Sequence, residues 1–134
     1  MKPQLFSWPV RVYYEDTDSG GVVYYANYLK FFERARTEWL RSLGLNQDKL
    51  AQEQNLIFVV RKVTLGFVRP ARLDDLIEVS VEPMKLAHVY IELAQEARCG
   101  AQVLATAGTK VACLDRRNFK PVAIPQFLRE SMQK

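Results

Sequence analysis

Hydrophobic positions along the chain change period twice, and the changes divide it into three zones. Over residues 7–15 they alternate, with Val10, Val12 and Tyr14 on one face and Arg11, Tyr13 and Glu15 on the other. That period of two predicts a strand. Over 27–43 the period becomes helical. Tyr28, Phe31, Phe32, Ala35, Trp39 and Leu43 share one face, and Lys30, Glu33, Arg34, Thr37, Glu38 and Arg41 fall mostly on the other. Gly44 is placed to stop this helix as a left-handed C-terminal residue. At 1.5 Å per residue the rod is roughly 25 Å long, enough to cross a small sheet. A shorter helix is predicted over 46–54, capped by Asn46.

The third zone is β-rich. Strands are predicted over 57–68, 77–82, 88–96 and 102–114, with turns at Arg69-Pro70-Ala71, Glu82-Pro83 and Cys99-Gly100. Small residues Ala105, Ala107 and Gly108 interrupt the last strand, where a helix or a neighbouring subunit can approach closely. From Ile124 the tail ends in a short helix or stays loose. Strand, long helix, four strands is an α+β order. Its economical packing is one helix wrapped by one curled antiparallel sheet of about five strands.

Composition adds limits rather than a direction. A chain of 134 residues, 49% hydrophobic and 25% charged, is expected to form a single domain over 1–134 with a real core. No apolar run is long enough for a transmembrane helix, and the start lacks the apolar stretch of a secretory signal. Cys99 and Cys113 have no metal-ligand spacing around them and read as buried free thiols in a reducing compartment, which places the protein in the cytoplasm. The net charge of +4 is scattered, with small groups at Arg61-Lys62, Arg69–Arg72 and Arg116-Arg117, and no basic stripe or nucleic-acid motif is present. No metal requirement and no cofactor are expected.

The chemistry concentrates in one segment, Y-E-D-T-D-S-G-G-V-V-Y-Y-A-N-Y over residues 14–28. Asp16 and Asp18 lie two apart where the alternation ends, a Gly20-Gly21 pair follows, and then the helix opens. This sets a carboxylate beside the free N–H donors of a helix start. Such a pairing can attack or hydrate a carbonyl carbon while holding its oxygen. Asp18 is equally the residue type that merely holds a Gly-Gly bend or caps a helix. Asp16 reads as a loop anchor rather than a catalytic group. Tyr24 and Tyr25 fit either the site or the core, and Tyr28 fits the core. His88, the only histidine, opens a strand without an obvious partner.

Residues 12–39, V-Y-Y-E-D-T-D-S-G-G-V-V-Y-Y-A-N-Y-L-K-F-F-E-R-A-R-T-E-W, resemble the hotdog-fold acyl-CoA thioesterases of the 4-hydroxybenzoyl-CoA thioesterase-like branch. Residues 6–18 and the run P-A-R-L-D-D over 70–75 are similar to the Tol-Pal-associated bacterial members of that branch. The resemblance implies a helix embraced by a sheet and subunits that join their sheets in a homodimer or homotetramer. It further implies an acyl-CoA site between subunits. The family's active-site carboxylate falls on Asp18, and its carbonyl-polarising backbone donor on Tyr25. Gly20, Gly21, Val22 and Tyr24 would then line the thioester, with Gly20 and Gly21 admitting it without a Cβ in the way. Arg61, Lys62, Arg116 and Arg117 are candidates for the coenzyme's phosphates.

Many of the similar sequences carry His at the position of Tyr25. A phenol with a pKa near 10 is a poor base at neutral pH, so a His-assisted scheme does not transfer. Readings that share this site stay open: an acyl-CoA thioesterase for short-chain or aromatic acyl groups, an acyl-carrier-protein thioesterase, and a low-turnover binding module for lipid-synthesis partners of the cell envelope. A hotdog hydratase fits less well, because no histidine lies near Asp18 in the sequence.

Overall fold

A computed structural model describes residues 5–133. The chain runs β1 (Phe6–Arg11), two 3-10 turns (Tyr14–Asp16 and Tyr25–Asn27), α1 (Tyr28–Ser42), α2 (Gln47–Gln54), β2 (Leu56–Phe67), β3 (Leu76–Leu86), β4 (Tyr90–Cys99), β5 (Gln102–Asp115) and α3 (Gln126–Gln133). The architecture is α+β: one antiparallel five-stranded sheet in the order β1-β3-β4-β5-β2, with α1 on one face.

The helix forms where its apolar stripe predicts. Tyr28, Phe31, Phe32, Ala35, Trp39 and Leu40 are buried, and Gly44 takes φ +82° at its end. Asn46 caps α2, its side chain accepting from the Lys49 N–H at 3.0 Å. Gln95, buried on β4 beneath α1, ties the helix to the sheet. Its amide donates to the Phe32 carbonyl at 3.0 Å, and its oxygen accepts from Arg36 at 3.0 Å. The facing strands supply Ile77, Val79, Val81, Ile91, Leu93, Ala105 and Ala107, and Leu128 of α3 closes the end of the core.

Three expectations are corrected. The sheet does not curl around the helix: β1 and β2 stand at opposite ends of the strand order, and the sheet is open. Five strands are too few to encircle a rod about 10 Å across, and a one-sided apolar stripe needs only one sheet face. The first strand ends at Arg11 because its partner β3 begins at Leu76, opposite Arg11. Tyr14, expected on the buried face, is 81% exposed in the 3-10 turn that follows. Finally, Glu82-Pro83 is no turn but part of β3, with a register irregularity between Pro83 and Lys85. Pro83 sits opposite Leu93 of β4 where the register breaks, a place that tolerates a missing N–H.

β2 is one of the sheet's two edges. Residues 60–64 in its middle are solvent-accessible on both faces, Val60 and Val63 among them. The pairing with β5 shifts between Val60 and Lys62, so Arg61 is the extra residue of a bulge.

Candidate active site

The motif folds into a small hairpin. Thr17 bridges Val23, the Asp18 N–H donates to Val22 O at 2.9 Å, and the Gly21 N–H returns to Asp18 O at 3.0 Å. Gly21 takes φ +77°, the left-handed conformation that the bend requires. The Asp18 carboxylate is exposed at the tip, and its Oδ1 accepts from the Gly20 N–H at 2.8 Å. Asp18 therefore holds the turn through Oδ1, and Oδ2 accepts no hydrogen bond from the described residues.

Segment 70–75 buttresses the hairpin. The Val23 N–H donates to Ala71 O at 2.8 Å, Val22 bridges Arg72, and the Ala71 N–H donates to the Tyr28 hydroxyl at 3.2 Å. Tyr28 is buried as expected, and burial raises its phenol above the usual value. Asp16 is buried and anchors the loop from below. Its carboxylate accepts from the Tyr13 N–H at 2.8 Å and from the Asn27 side-chain amide at 2.5 Å.

At the helix start the Tyr24 N–H is spent on Asp16 O at 3.0 Å, and the Asn27 N–H on Tyr24 O at 2.8 Å. The N–H groups of Tyr25 and Ala26 between them find no acceptor among the described residues. Aligned with the helix dipole, they form a ready place for developing negative charge. The rings of Tyr24 and Tyr25 lie 4.8 Å apart, and Tyr25 meets Phe67 edge-on at 6.2 Å. The Tyr25 hydroxyl raises the Tyr24 phenol above its usual value. Phe67 is 51% exposed and completes an aromatic wall at the end of β2. The sequence leaves Phe67 open between core packing and closing the acyl pocket, and the structure sets it against Tyr25 and Tyr28.

The structure brings together Asp18, Gly20, Gly21, Val22, Tyr24 and Tyr25, but within one protomer it separates them from the four basic candidates. Arg61 and Lys62 lie mid-way along β2 and line a shallow hollow with Tyr90 and Lys110. Arg116 sits at the far end of β2, its N–H on Asn55 O at 2.9 Å and its Nε on Asn55 Oδ1 at 3.2 Å. Asn55 is twelve residues before Phe67, roughly 40 Å along a strand. Arg117 is already paired with Asp115 at 2.7 Å, and this pairing pulls the carboxyl down to about 2. Arg117 is therefore the weakest of the four as a phosphate ligand. His88 is exposed at the β3–β4 turn. Among the described residues no group of three His, Cys, Asp or Glu is arranged to hold a metal ion.

Comparison with known proteins turns this geometry into a family assignment. A profile of the thioesterase-like superfamily matches residues 12–132. The chain belongs to that family. It is similar to the acyl-CoA thioesterase YbgC of Haemophilus influenzae, with 50% identity over 92% of this chain and 91% of that one. The acyl-CoA thioester hydrolase YbgC of Escherichia coli O157:H7 is 45% identical over 96% of both chains. Among solved structures, a probable thioesterase from Bartonella henselae superposes with a TM-score of 0.86 at 38% identity, covering 91% of this chain and 100% of that one. These likenesses span the hairpin, the helix and the sheet together, so the thioesterase-like family accounts for the whole arrangement. Among the described residues no helix is long and apolar enough to cross a membrane.

Proposed function

We propose that this chain is an acyl-CoA thioesterase, a single hotdog domain over 1–134 that hydrolyses short-chain or aromatic acyl-CoA to the free acid and CoA. One observation carries the reading: an exposed, hydrogen-bonded carboxylate, Asp18, rides on a hairpin whose foot holds the Tyr24 N–H, just before the N–H groups of Tyr25 and Ala26 that have no acceptor among the described residues. The thioester carbonyl accepts from these donors, which strengthen their hold as the oxyanion develops. Asp18 acts as nucleophile or as general base on water, and CoA thiolate leaves without strong acid assistance. Tyr25 contributes through its backbone, not its phenol. Gly20, Gly21, Val22 and Tyr24 frame the reacting group.

The working unit is a homodimer, or a homotetramer of two such dimers, in which the open β2 edges pair. A long apolar edge with free N–H and C=O groups is a template for another strand. Antiparallel pairing of two β2 strands reverses one against the other. It sets the Phe67 end of one, with Tyr25 and Asp18, beside the Asn55 end of its mate. The second copy's Arg116 then reaches the coenzyme phosphates, and its Arg61 and Lys62 lie along the way. A crevice of about 120 Å³ between α1 and β2, lined by Arg36, Phe58, Val60 and Leu93, faces the same junction. Its size suits a short or single-ring acyl group. The 1,4-dihydroxy-2-naphthoyl-CoA hydrolase of Nostoc punctiforme, 28% identical over 90% of this chain and 81% of that one, supports an aromatic acyl class.

An acyl-carrier-protein thioesterase would use the same site. The basic face around Tyr90, with Lys110 Nζ 4.1 Å from its ring and Arg61 and Lys62 nearby, favours an acidic carrier as a second substrate source. A cytoplasmic location follows from the free cysteines, and peripheral association with envelope lipid-synthesis enzymes from the family resemblance. The deciding experiment is thiol release from short, long and aromatic acyl-CoAs by the wild type, Asp18→Asn and Tyr25→Phe. Asp18→Asn is expected to lose at least about 100-fold in kcat, while Tyr25→Phe stays within about threefold. Equal turnover by wild type and Asp18→Asn would overturn the assignment of the carboxylate. Silence of the wild type on every acyl-CoA would overturn the substrate class.

A further inference from the structure

Asp16 is the acid of the motif that hydrolysis does not use, yet it is held more tightly than Asp18. It is 5% exposed, and among the described residues it has no ion-pair partner. A buried carboxylate without a cation is costly unless hydrogen bonds satisfy it. Here both of its oxygens face donors, the Tyr13 N–H at 2.8 Å and the Asn27 amide at 2.5 Å. Its backbone ties the same points, the N–H donating to Tyr13 O and the carbonyl accepting from the Tyr24 N–H, each at 3.0 Å. One residue thus joins the end of the first strand segment, the foot of the Asp18 hairpin and the helix start.

Asn27 is as unusual as its partner. Asparagine near a helix start ordinarily turns its oxygen onto a backbone N–H, as Asn46 does before α2. Asn27 has helical backbone angles and makes no such bond; its amide points back to Asp16. Tyr24, which precedes the 3-10 turn, also makes no side-chain cap. The Asn27 side chain is therefore committed to Asp16 and not to the first turn of α1.

We propose that Asp16 and Asn27 are a positioning pair for the reaction, resting on the thioesterase reading above. The carboxylate–amide bond, with the Tyr24 N–H on Asp16 O, sets the Asp18 hairpin and the N–H groups of Tyr25 and Ala26 in a fixed relation to one another. With asparagine at 27, residue 16 faces two donors and must accept on both side-chain oxygens. Asparagine at 16 turns an NH₂ toward one of them.

The test compares Asp16→Asn, Asn27→Asp and the exchanged double variant, each below its melting temperature. Asp16→Asn is expected to lose roughly 10- to 100-fold in kcat with KM within about threefold of wild type, the loss of one hydrogen bond to a charged group. Asn27→Asp opposes two carboxylates that cannot both ionise, so a shared proton holds the pair only at low pH. Its kcat falls as pH rises through this new ionisation, whereas the wild type shows no such limb. The exchanged variant restores an acceptor for Tyr13 and an amide–carboxylate bond, and it recovers both rate and pH profile. A merely structural pair would lower melting temperatures and leave these profiles parallel. Unchanged kcat in Asp16→Asn, or an exchanged variant as poor as Asn27→Asp, overturns the proposal. If the wild type turns over no thioester, the ¹⁵N amide resonances of Tyr25 and Ala26 decide instead. They titrate with the new ionisation in Asn27→Asp and not in the exchanged variant if the pair controls the helix entrance, and stay still in both if it does not.

Discussion

Replacing Gly20 by alanine tests the Asp18 geometry without touching the carboxylate itself. A Cβ at Gly20 would lie 3.2 Å from Asp18 Oδ1, inside the 3.4 Å at which ordinary contact begins. That oxygen cannot retreat freely, because the Gly20 N–H holds it at 2.8 Å. Either the bond lengthens or the carboxylate turns on its stem. Losing a hydrogen bond to a charged group costs about 1.5–3 kcal/mol. Expressed fully in the transition state, this is roughly a 10- to 100-fold fall in kcat. Gly21→Ala is the control. It meets nothing within 4 Å but forces a side chain to φ +77°. Its cost of about 1–2 kcal/mol is backbone strain and appears mainly as a lower melting temperature. Thiol-release kinetics and thermal melts on both variants separate the two effects. If Gly20→Ala keeps wild-type kcat while melting as low as Gly21→Ala, the Gly20 bond does not set the position of the reactive carboxylate.

Val63→Lys places a charge on the exposed edge of β2 and is expected to turn the dimer into monomer in size-exclusion chromatography with light scattering, with turnover lost in parallel. An active monomer would refute edge pairing as the route to a complete site. Cys113 is buried on β5, where burial pushes its thiol up to about 11 from 9.0. The folded form therefore keeps its proton more tightly than the unfolded one. Its share of stability, about 2–3 kcal/mol, is present below about pH 9 and lost as pH rises toward 11. Urea unfolding at about pH 8 and about pH 11 should show a smaller loss for Cys113→Ala than for wild type; parallel losses would contradict the assignment.

What the sequence could show depended on how far apart the interacting residues lie. The stripe on α1, its Gly44 stop and the Asn46 cap are local patterns, and all three were legible. The end of β1 was not, since alternation continues through Tyr14 while pairing stops at Arg11, where β3 begins. Pro83 misled for the same reason: a proline reads as a turn until the register break beside it, against β4, is known. The expected curl came from helix length alone, and strand number decides against it. Within the site, Asp18 and the glycines announced themselves by spacing. Asn27 did not, because its amide matters only through Asp16, eleven residues earlier. Gln95 was likewise hidden in an alternating strand, and only the fold places it under Phe32 and Arg36.

The strand order also bears on how the chain is made. β2 is synthesised early, yet its partner within the sheet is β5, which begins 35 residues after Phe67. At 5–20 residues per second, translation leaves β2 without that partner for roughly 2–7 s. During this interval both of its long edges are bare, and its apolar residues sit in a nascent chain rather than in a finished sheet. When β5 arrives it covers one edge and leaves the other bare. Biosynthesis at high local density, as on a polysome, therefore exposes β2 to its counterpart on a neighbouring nascent chain before its own fold is closed. Expression yield should respond to translation rate and to holding chaperones more than the stability of the finished protein suggests.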